Sequence, residues 1–193
     1  IIEIGSQGAR FITEVQSRTP QFAANEHCAG GTGSFFEDQM SRLGLSIEDY
    51  SKLVDQATSV PRLSGRCAVF AKTDIIHRQQ EGVCTPDILL GLCYAMIKNY
   101  KATIVRDLLV DKPVAFCGGV TKNRGVIRAI KEVFDLQENE LIISEYASFA
   151  GAAGAALHAS GSFNREQLLC AADHMKESHH GSLPALPEST KNT

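Results

Sequence analysis

The stretch AFCGGVTKN, residues 115–123, places two glycines directly after an apolar run and directly before a helical pattern. Glycines at a strand-to-helix turn let the backbone approach a ligand, and the free N–H groups at the start of the helix favour an anion. The segment has neither the complete G-x-G-x-x-G pattern nor the P-loop pattern G-x-x-x-x-G-K-[ST]. From these residues alone, a nucleotide-binding turn and an ordinary tight turn are equally good interpretations.

A second glycine turn lies at the start of the chain, in IEIGSQGAR, residues 2–10. Residues 1–15 read as two short strands around this turn and predict a β-hairpin. Backbone amides in such a turn can hold a phosphate, although an ordinary hairpin turn explains the segment better when it is taken alone. Residues 16–27 are polar and predict a loop.

The third glycine-rich segment, CAGGTG at residues 28–33, begins with a cysteine and leads into a helical pattern. Cys28 beside glycine amides and a helix N-terminus has surroundings that favour the thiolate form. Arg66 precedes Cys67, and its positive charge favours a thiolate there as well. The alternative for Cys28 is a buried thiol in a flexible loop. Cys84, beside a helix start, ranks lower as a reactive thiol.

The remaining pattern predicts a mixed α/β lobe with a helical insertion. Residues 85–87, Thr-Pro-Asp, are typical of a helix start, and the apolar stripe that follows places Cys93 in the core. A strand, a glycine turn and a helix are predicted over 113–134, and a short strand over 140–144. A close-packed helix of small residues is expected over 149–161.

Composition excludes some classes of protein. The 193 residues are 44% hydrophobic and 21% charged, as in soluble globular proteins, and the net charge of −3 gives no reason to expect binding to nucleic acid or to an anionic membrane. No apolar run approaches the roughly 20 residues of a membrane helix. The six cysteines contain no C-x-x-C pair, and without a secretory leader pattern a reducing, cytoplasmic location is expected. The opening IIEIG reads as a buried strand and suggests the C-terminal part of a longer protein.

Taken together, these segments resemble the BadF/BadG/BcrA/BcrD ATPase family, the activators of 2-hydroxyacyl-CoA dehydratases and the ATP-coupled subunits of benzoyl-CoA reductases. The resemblance covers residues 1 to about 160 and is carried, in order, by CAGGTGSFFEDQMSRLGLSIEDY, SGRCAVFAKTDII, VAFCGGVTKNRGVIRAI and FAGAAGAAL. It implies an α/β fold, a ribonuclease-H-like lobe of the actin/Hsp70/sugar-kinase ATPase superfold. Residues 1–172 would be the second lobe, with a helical insertion at about 34–110, and residues 173–193 a disordered tail.

The resemblance also implies a nucleotide site for ATP and Mg²⁺ between two lobes. The residues it assigns to that site are Gly5, Ser6, Gln7, Gly8, Gly118, Gly119 and Asn123. Gln7 is the candidate catalytic residue, and the helix over 149–159 would pack on the sheet of the lobe. Members of the family usually carry Asp-Ile-Gly-Gly-Gln-Asp at the second phosphate loop. Here Glu3 stands for the first acid, Ser6 for a glycine and Gly8 for the second acid, which predicts weak ATP hydrolysis.

A 4Fe-4S cluster is the third implication of the resemblance. Such a cluster is held by four cysteine thiolates, and this chain offers two in matching motifs, Cys28 and Cys67. Two chains around a two-fold axis would supply all four, so the cluster would bridge a homodimer. Amides after Cys28 would bind cluster sulfurs, and ATP hydrolysis would drive an electron to a 2-hydroxyacyl-CoA dehydratase or a benzoyl-CoA reductase-like partner.

Two other functions stay open at this point. The first is a sugar-kinase-like phosphotransferase of the same superfold, for which no convincing catalytic aspartate is found. The second is a non-catalytic ATP-binding module, which the altered residues 3–8 favour. Under any of these functions, the 193-residue chain alone is expected to bind ATP poorly and to be inactive, because half of the cleft is missing.

Overall fold

A mixed sheet is the framework of the fold in the computed structural model, which describes residues 1–25, 31–65, 68–159 and 166. The strands in these residues are β1 (Ile2–Ile4), β2 (Ala9–Thr13), β3 (Gln21–Ala24), β4 (Val114–Cys117) and β5 (Leu141–Ile142). They lie in the order β3-β2-β1-β4-β5. Strands β1, β2 and β3 are antiparallel neighbours, whereas β4 is parallel to both β1 and β5.

The first hairpin confirms the alternation seen in the sequence. Ile2 and Ile4 on β1 are fully buried, and Phe11 on β2 is buried opposite Ile2. Glu3 and Arg10 lie opposite each other on the other face and form an ion pair of 3.1 Å. Apolar residues therefore face the core while the charged pair stays at the surface.

Strand β3 corrects the loop predicted over 16–27. Residues Gln21–Ala24 pair antiparallel with β2, with Phe22 opposite Ile12 and Gln21 opposite Thr13. Phe22 is 61% exposed, and no residue of β3 is buried. An edge strand without a buried face has no alternating pattern to reveal it, and backbone pairing with β2 holds it in place.

The helices of the described residues are α1 (Gly33–Arg42), α2 (Tyr50–Val54), α3 (Ala68–Gln80), α4 (Thr85–Tyr100), α5 (Arg124–Val133) and α6 (Ala150–His158). Short 3-10 turns cover Ile47–Asp49, Gly119–Lys122, Glu138–Glu140 and Ala147–Phe149, and a π-helical turn covers Lys101–Val105. Residues Ile1–Gly154 form one compact unit, and Ala155–Thr193 belong to a second.

Helix α4 is the centre of the core. Most of its residues are buried, including Cys93, as the sequence predicts. Together with the π-helical turn, residues Thr85–Val105 form a helix that is long and apolar enough to cross a membrane. The expectation that no such run exists is therefore wrong. Within the protein, 67% of the apolar 18-residue stretch of this helix is buried, which is the pattern of a core helix. The N-cap of this helix is Cys84, and Thr85 and Pro86 are its first two residues.

Helix α6 differs from its prediction. It has no buried residue, and a Cβ added at Gly151 or Gly154 would meet no atom of the described chain within 4 Å. The expectation that this helix packs closely on the sheet is therefore wrong for the described residues. Small side chains permit a close approach between helices, but they bury too little apolar area to enforce one.

Asp87 ties the loop before α3 to the start of α4. Its carboxylate accepts hydrogen bonds from the Thr58 amide (2.7 Å), the Ser59 amide (3.0 Å) and the Ser59 hydroxyl (2.6 Å). These bonds, led by that of the Ser59 hydroxyl, lower the pKa of Asp87 to about 2. The ionised Asp87 carboxylate therefore stabilises the folded state above pH 4, and this stabilisation is lost as the pH falls from about 4 towards 2.

We expect Asp87→Asn to destabilise the chain by roughly 1.5–3 kcal/mol, because an amide replaces an ionised acceptor of several hydrogen bonds. The variant should also flatten the loss of stability between pH 4 and pH 2. Urea unfolding across this pH range measures both effects. Asp49→Asn is the matched control, since its exposed pair with Lys52 is long, at 3.5 Å, and should contribute less than about 0.5 kcal/mol. Equal losses in the two variants would contradict the assignment.

Candidate nucleotide-binding site

The turn between β1 and β2 is held from two sides. It is closed by a hydrogen bond from the Gly5 amide to the Gly8 carbonyl, at 2.8 Å, and leaves Ser6 and Gln7 exposed at its tip. From the other side, the Gly33 amide donates to the Gly5 carbonyl at 2.8 Å. The start of α1 is thus joined directly to this turn.

The turn after β4 makes a close backbone crossing. Gly118 has a φ of +97°, and a Cβ at this position would lie 2.1 Å from the Ile4 carbonyl oxygen. Its amide donates to the Ala147 carbonyl at 2.8 Å, and its own carbonyl accepts from the Thr121 hydroxyl at 2.7 Å. The glycine is therefore required by the neighbouring strand, and it brings the Gly119 turn beside the turn of residues 5–8.

A cleft of about 550 Å³ opens between these two turns. Ser6, Gly119 and Asn123, three of the predicted nucleotide residues, line it together. The other four predicted residues do not line the cleft. Three of them, Gly5, Gly8 and Gly118, shape the two turns, and the fourth, Gln7, is exposed to solvent. The structure thus brings the two distant glycine segments to one site.

Asn123 supports one wall of the cleft. Its side-chain oxygen accepts a hydrogen bond from the Val126 amide at 3.2 Å and so caps α5. Behind it, the Cys93 thiol lies 3.8 Å from the same oxygen. A Cβ added at Gly125 would approach the Cys93 sulfur to 2.7 Å, so this wall is closely packed. Burial raises the pKa of Cys93 to about 12, which keeps the thiol neutral.

The opposite wall comes from residues that the sequence did not single out. Ile47, Glu48, Tyr50 and Ser51 line the cleft from the start of α2. The Ser51 hydroxyl donates to the Lys122 carbonyl at 2.9 Å and ties this wall to the Gly119 turn. The sequence does not reveal this wall, because no local spacing pattern connects Ser51 with Lys122, which lies 71 positions further along the chain.

Charge is distributed around the mouth of the cleft. Glu37, Glu48 and Lys122 are among its lining residues. A hydrogen bond from the Ser46 hydroxyl lowers the pKa of Glu48, so this carboxylate is ionised at neutral pH. Burial raises the pKa of Tyr50, whose hydroxyl donates to the Leu89 carbonyl at 2.8 Å. The cleft therefore offers apolar and hydrogen-bonding walls with both signs of charge at its edge.

Metal-binding groups are sparse in the part of the chain that the structure describes. No group of three or more His, Cys, Asp or Glu residues there is placed to hold a metal ion. Glu3, which stands where the family has its first acid, is paired with Arg10. The carboxylate that precedes the first glycine turn in the sequence is therefore paired with an arginine.

The two predicted cluster ligands, Cys28 and Cys67, lie outside the described residues. Of the cysteines that are described, Cys84 is exposed, Cys93 is buried and Cys117 is half-buried, and all three are free thiols. Amides after Cys28 are expected to serve cluster sulfurs, and two of them, at the start of α1, have partners within the described residues. Those of Gly33 and Ser34 donate to the carbonyls of the first glycine turn.

The mixed sheet, its helices and the two facing glycine turns define an α/β actin-like ATPase fold. The chain belongs to the BadF/BadG/BcrA/BcrD ATPase family, whose model matches residues 1–159. The fold class and the family predicted from the sequence are thereby confirmed.

Three similar proteins illustrate this membership. The activator of lactoyl-CoA dehydratase of Anaerotignum propionicum is 34% identical over 82% of this chain and 60% of its own length. Component A of (R)-2-hydroxyglutaryl-CoA dehydratase of Acidaminococcus fermentans superposes with a TM-score of 0.74 at 30% identity, over 82% of this chain and 60% of that one. The 2-hydroxyisocaproyl-CoA dehydratase activator of Clostridium difficile with bound ADPNP gives 0.73 at 26% identity, over 94% and 64%. The chain thus spans less than two thirds of the length of these relatives.

Proposed function

We propose that the full-length protein is a cytoplasmic ATP-dependent activator. It would couple ATP hydrolysis to low-potential electron transfer towards a 2-hydroxyacyl-CoA dehydratase or a benzoyl-CoA reductase-like partner. The observation that carries this proposal is the cleft that joins the turn of residues 5–8 to the turn of Gly118 and Gly119. Relatives named as dehydratase activators, one of them with bound ADPNP, support it.

The nucleotide would lie across the two turns. Its phosphates would meet Gly5, Ser6, Gln7 and Gly8, and its adenosine would lie along Gly118 and Gly119 above Asn123. Backbone amides at such turns bind phosphate oxygens, and Mg²⁺ would be held chiefly by those oxygens and water. Gln7, exposed at the tip of its turn, would orient the attacking water. Gly8 supplies no carboxylate, so hydrolysis is expected to be slow.

The cluster would be assembled from two copies of the chain. Cys28 and Cys67 of each copy provide soft thiolate ligands, the donor type that suits iron–sulfur clusters, and the cluster supplies one-electron redox chemistry. Helix α3 begins one residue after Cys67 and exposes three apolar side chains, Val69 (66%), Phe70 (65%) and Ile76 (45%). An exposed apolar group at that position supports a contact with the second copy.

The composition of the purified full-length protein tests this function. Prepared without oxygen, it should contain about four iron and four sulfide ions per two chains. Calorimetric titration with MgATP should give one site per chain, with a dissociation constant in the micromolar range. A complete cluster on each single chain, or no ATP binding, would contradict the proposal.

One observation favours the non-catalytic alternative. The Glu3 carboxylate is paired with Arg10, and Gly8 replaces the second acid, so the described part of the first turn has no unpaired carboxylate. A full-length protein that binds MgATP without releasing phosphate would support an ATP-binding module. Phosphorylation of a sugar by iron-free protein would instead support a phosphotransferase. ATP-dependent phosphate release from the cluster-containing protein is the result that the activator requires.

A further inference from the structure

We propose that the first amides of α1, those of Gly33 and Ser34, are positioning groups for the phosphate-binding turn. They orient its peptide planes, so that the free amides of the turn face the phosphates of the nucleotide. This inference rests on the proposed ATP-binding function, but it goes further, because it assigns a role to backbone groups of α1.

Two short hydrogen bonds make the connection. The Gly33 amide donates to the Gly5 carbonyl at 2.8 Å, and the Ser34 amide donates to the Ser6 carbonyl at 2.7 Å. The first N–H groups of a helix have no partner within the helix, so α1 can use these two without weakening itself. Both acceptors belong to consecutive residues of the turn, which fixes two adjacent peptide groups at once.

The geometry of the peptide bond then fixes the direction in which the amides of the turn point. In a trans peptide the carbonyl of one residue and the N–H of the next point in opposite directions. With the Gly5 and Ser6 carbonyls directed at α1, the amides of Ser6 and Gln7 point away from it. Neither of these two amides donates to another group within the described residues. They form a pair of free donors of the kind that binds a phosphate.

The start of α1 also touches the second glycine turn. A Cβ added at Gly33 would lie 3.2 Å from the Gly5 carbonyl oxygen and 3.3 Å from the Val120 side chain. One turn of helix further on, Phe36 packs edge-on against Tyr50 at 5.1 Å. Gly33 and Tyr50 both line the cleft. Helix α1 therefore contacts both glycine turns through Gly33 and the start of α2 through Phe36.

Gly33→Pro tests the role of the amide, because it removes the N–H and directs a ring carbon at the Gly5 carbonyl in its place. Proline suits the first position of a helix, and Thr32 before it has the extended backbone (φ −122°, ψ 170°) that a following proline requires. The variant deletes the N–H that reaches the Gly5 carbonyl. We expect the dissociation constant of full-length protein for MgAMP-PNP to rise about tenfold to a hundredfold. Gly33→Ala keeps the N–H and adds only a tight Cβ, so it should lose less affinity.

The outcomes separate this inference from the function on which it rests. If the unmodified protein does not bind MgAMP-PNP, the ATP-binding proposal fails. If it binds and Gly33→Pro binds equally well with an unchanged melting temperature, the positioning role is wrong. Should Gly33→Pro fail to fold, hydrogen exchange on unmodified protein decides. MgAMP-PNP should slow exchange of the Gly33 and Ser34 amides, and an unchanged rate would overturn the positioning role.

Discussion

Replacing Gly118 with alanine is expected to destabilise the chain by about 3–5 kcal/mol and to abolish nucleotide binding by the full-length protein. The added Cβ would lie 2.1 Å from the Ile4 carbonyl oxygen. Neither atom can rotate away, because the oxygen belongs to the backbone and the backbone of residue 118 fixes the position of the Cβ. The positive φ of +97° adds strain for any residue with a side chain. Urea unfolding of the chain and MgATP titration of full-length protein measure the two effects.

The neighbouring glycine is the matched control for stability. At Gly119 an added Cβ would meet no atom of the described residues within 4 Å, and no positive φ is involved. Gly119→Ala should therefore change the free energy of unfolding by less than about 0.5 kcal/mol. If Gly118→Ala and Gly119→Ala were equally stable, the backbone crossing with Ile4 would not be what holds the second turn in place.

Loss of the cluster is the second large effect, and it is expected to be complete. Cys28→Ser and Cys67→Ser should each reduce the iron and sulfide of anaerobically prepared full-length protein to background. Each change would remove two of the four ligands of the proposed shared cluster, because a symmetric dimer carries the substitution twice. Iron and sulfide analysis, with the visible absorbance of the cluster, measures the loss.

Cys84→Ser provides the control for this prediction. Cys84 is an exposed free thiol outside the two motifs that match the family, so its removal should leave the iron content unchanged. The variant also reports any general effect of removing a thiol during anaerobic preparation. A double Cys28→Ser/Cys67→Ser protein that retained its full iron content would exclude these residues as ligands.

The parts of the fold that follow from local patterns could be predicted from the sequence. Alternation in residues 1–15 predicted the first hairpin, and the apolar stripe of α4 correctly placed Cys93 in the core. Strand β3 was missed because its side chains are exposed and only backbone pairing defines it. Helix α6 was expected to pack because its residues are small, but small size alone does not supply a partner.

The contacts between distant residues in the candidate site could not be predicted from the sequence. Glycines 118 and 119 were marked by their place between a strand and a helix, yet the reason for Gly118 is contact with the Ile4 backbone. Ser51 and Lys122 meet across the cleft although 71 positions separate them, and no periodicity reveals such a pair. The bond from Gly33 to Gly5 is equally invisible, since it joins backbone groups that carry no residue signature.

The proposed full-length activator would transfer electrons only when it hydrolyses ATP. The most direct measurement starts with reduced, cluster-containing full-length protein mixed without oxygen with a 2-hydroxyacyl-CoA dehydratase, and follows oxidation of the cluster by its absorbance. We expect oxidation with MgATP and little or none with MgAMP-PNP or without nucleotide. Oxidation at the same rate under all three conditions would contradict the claim.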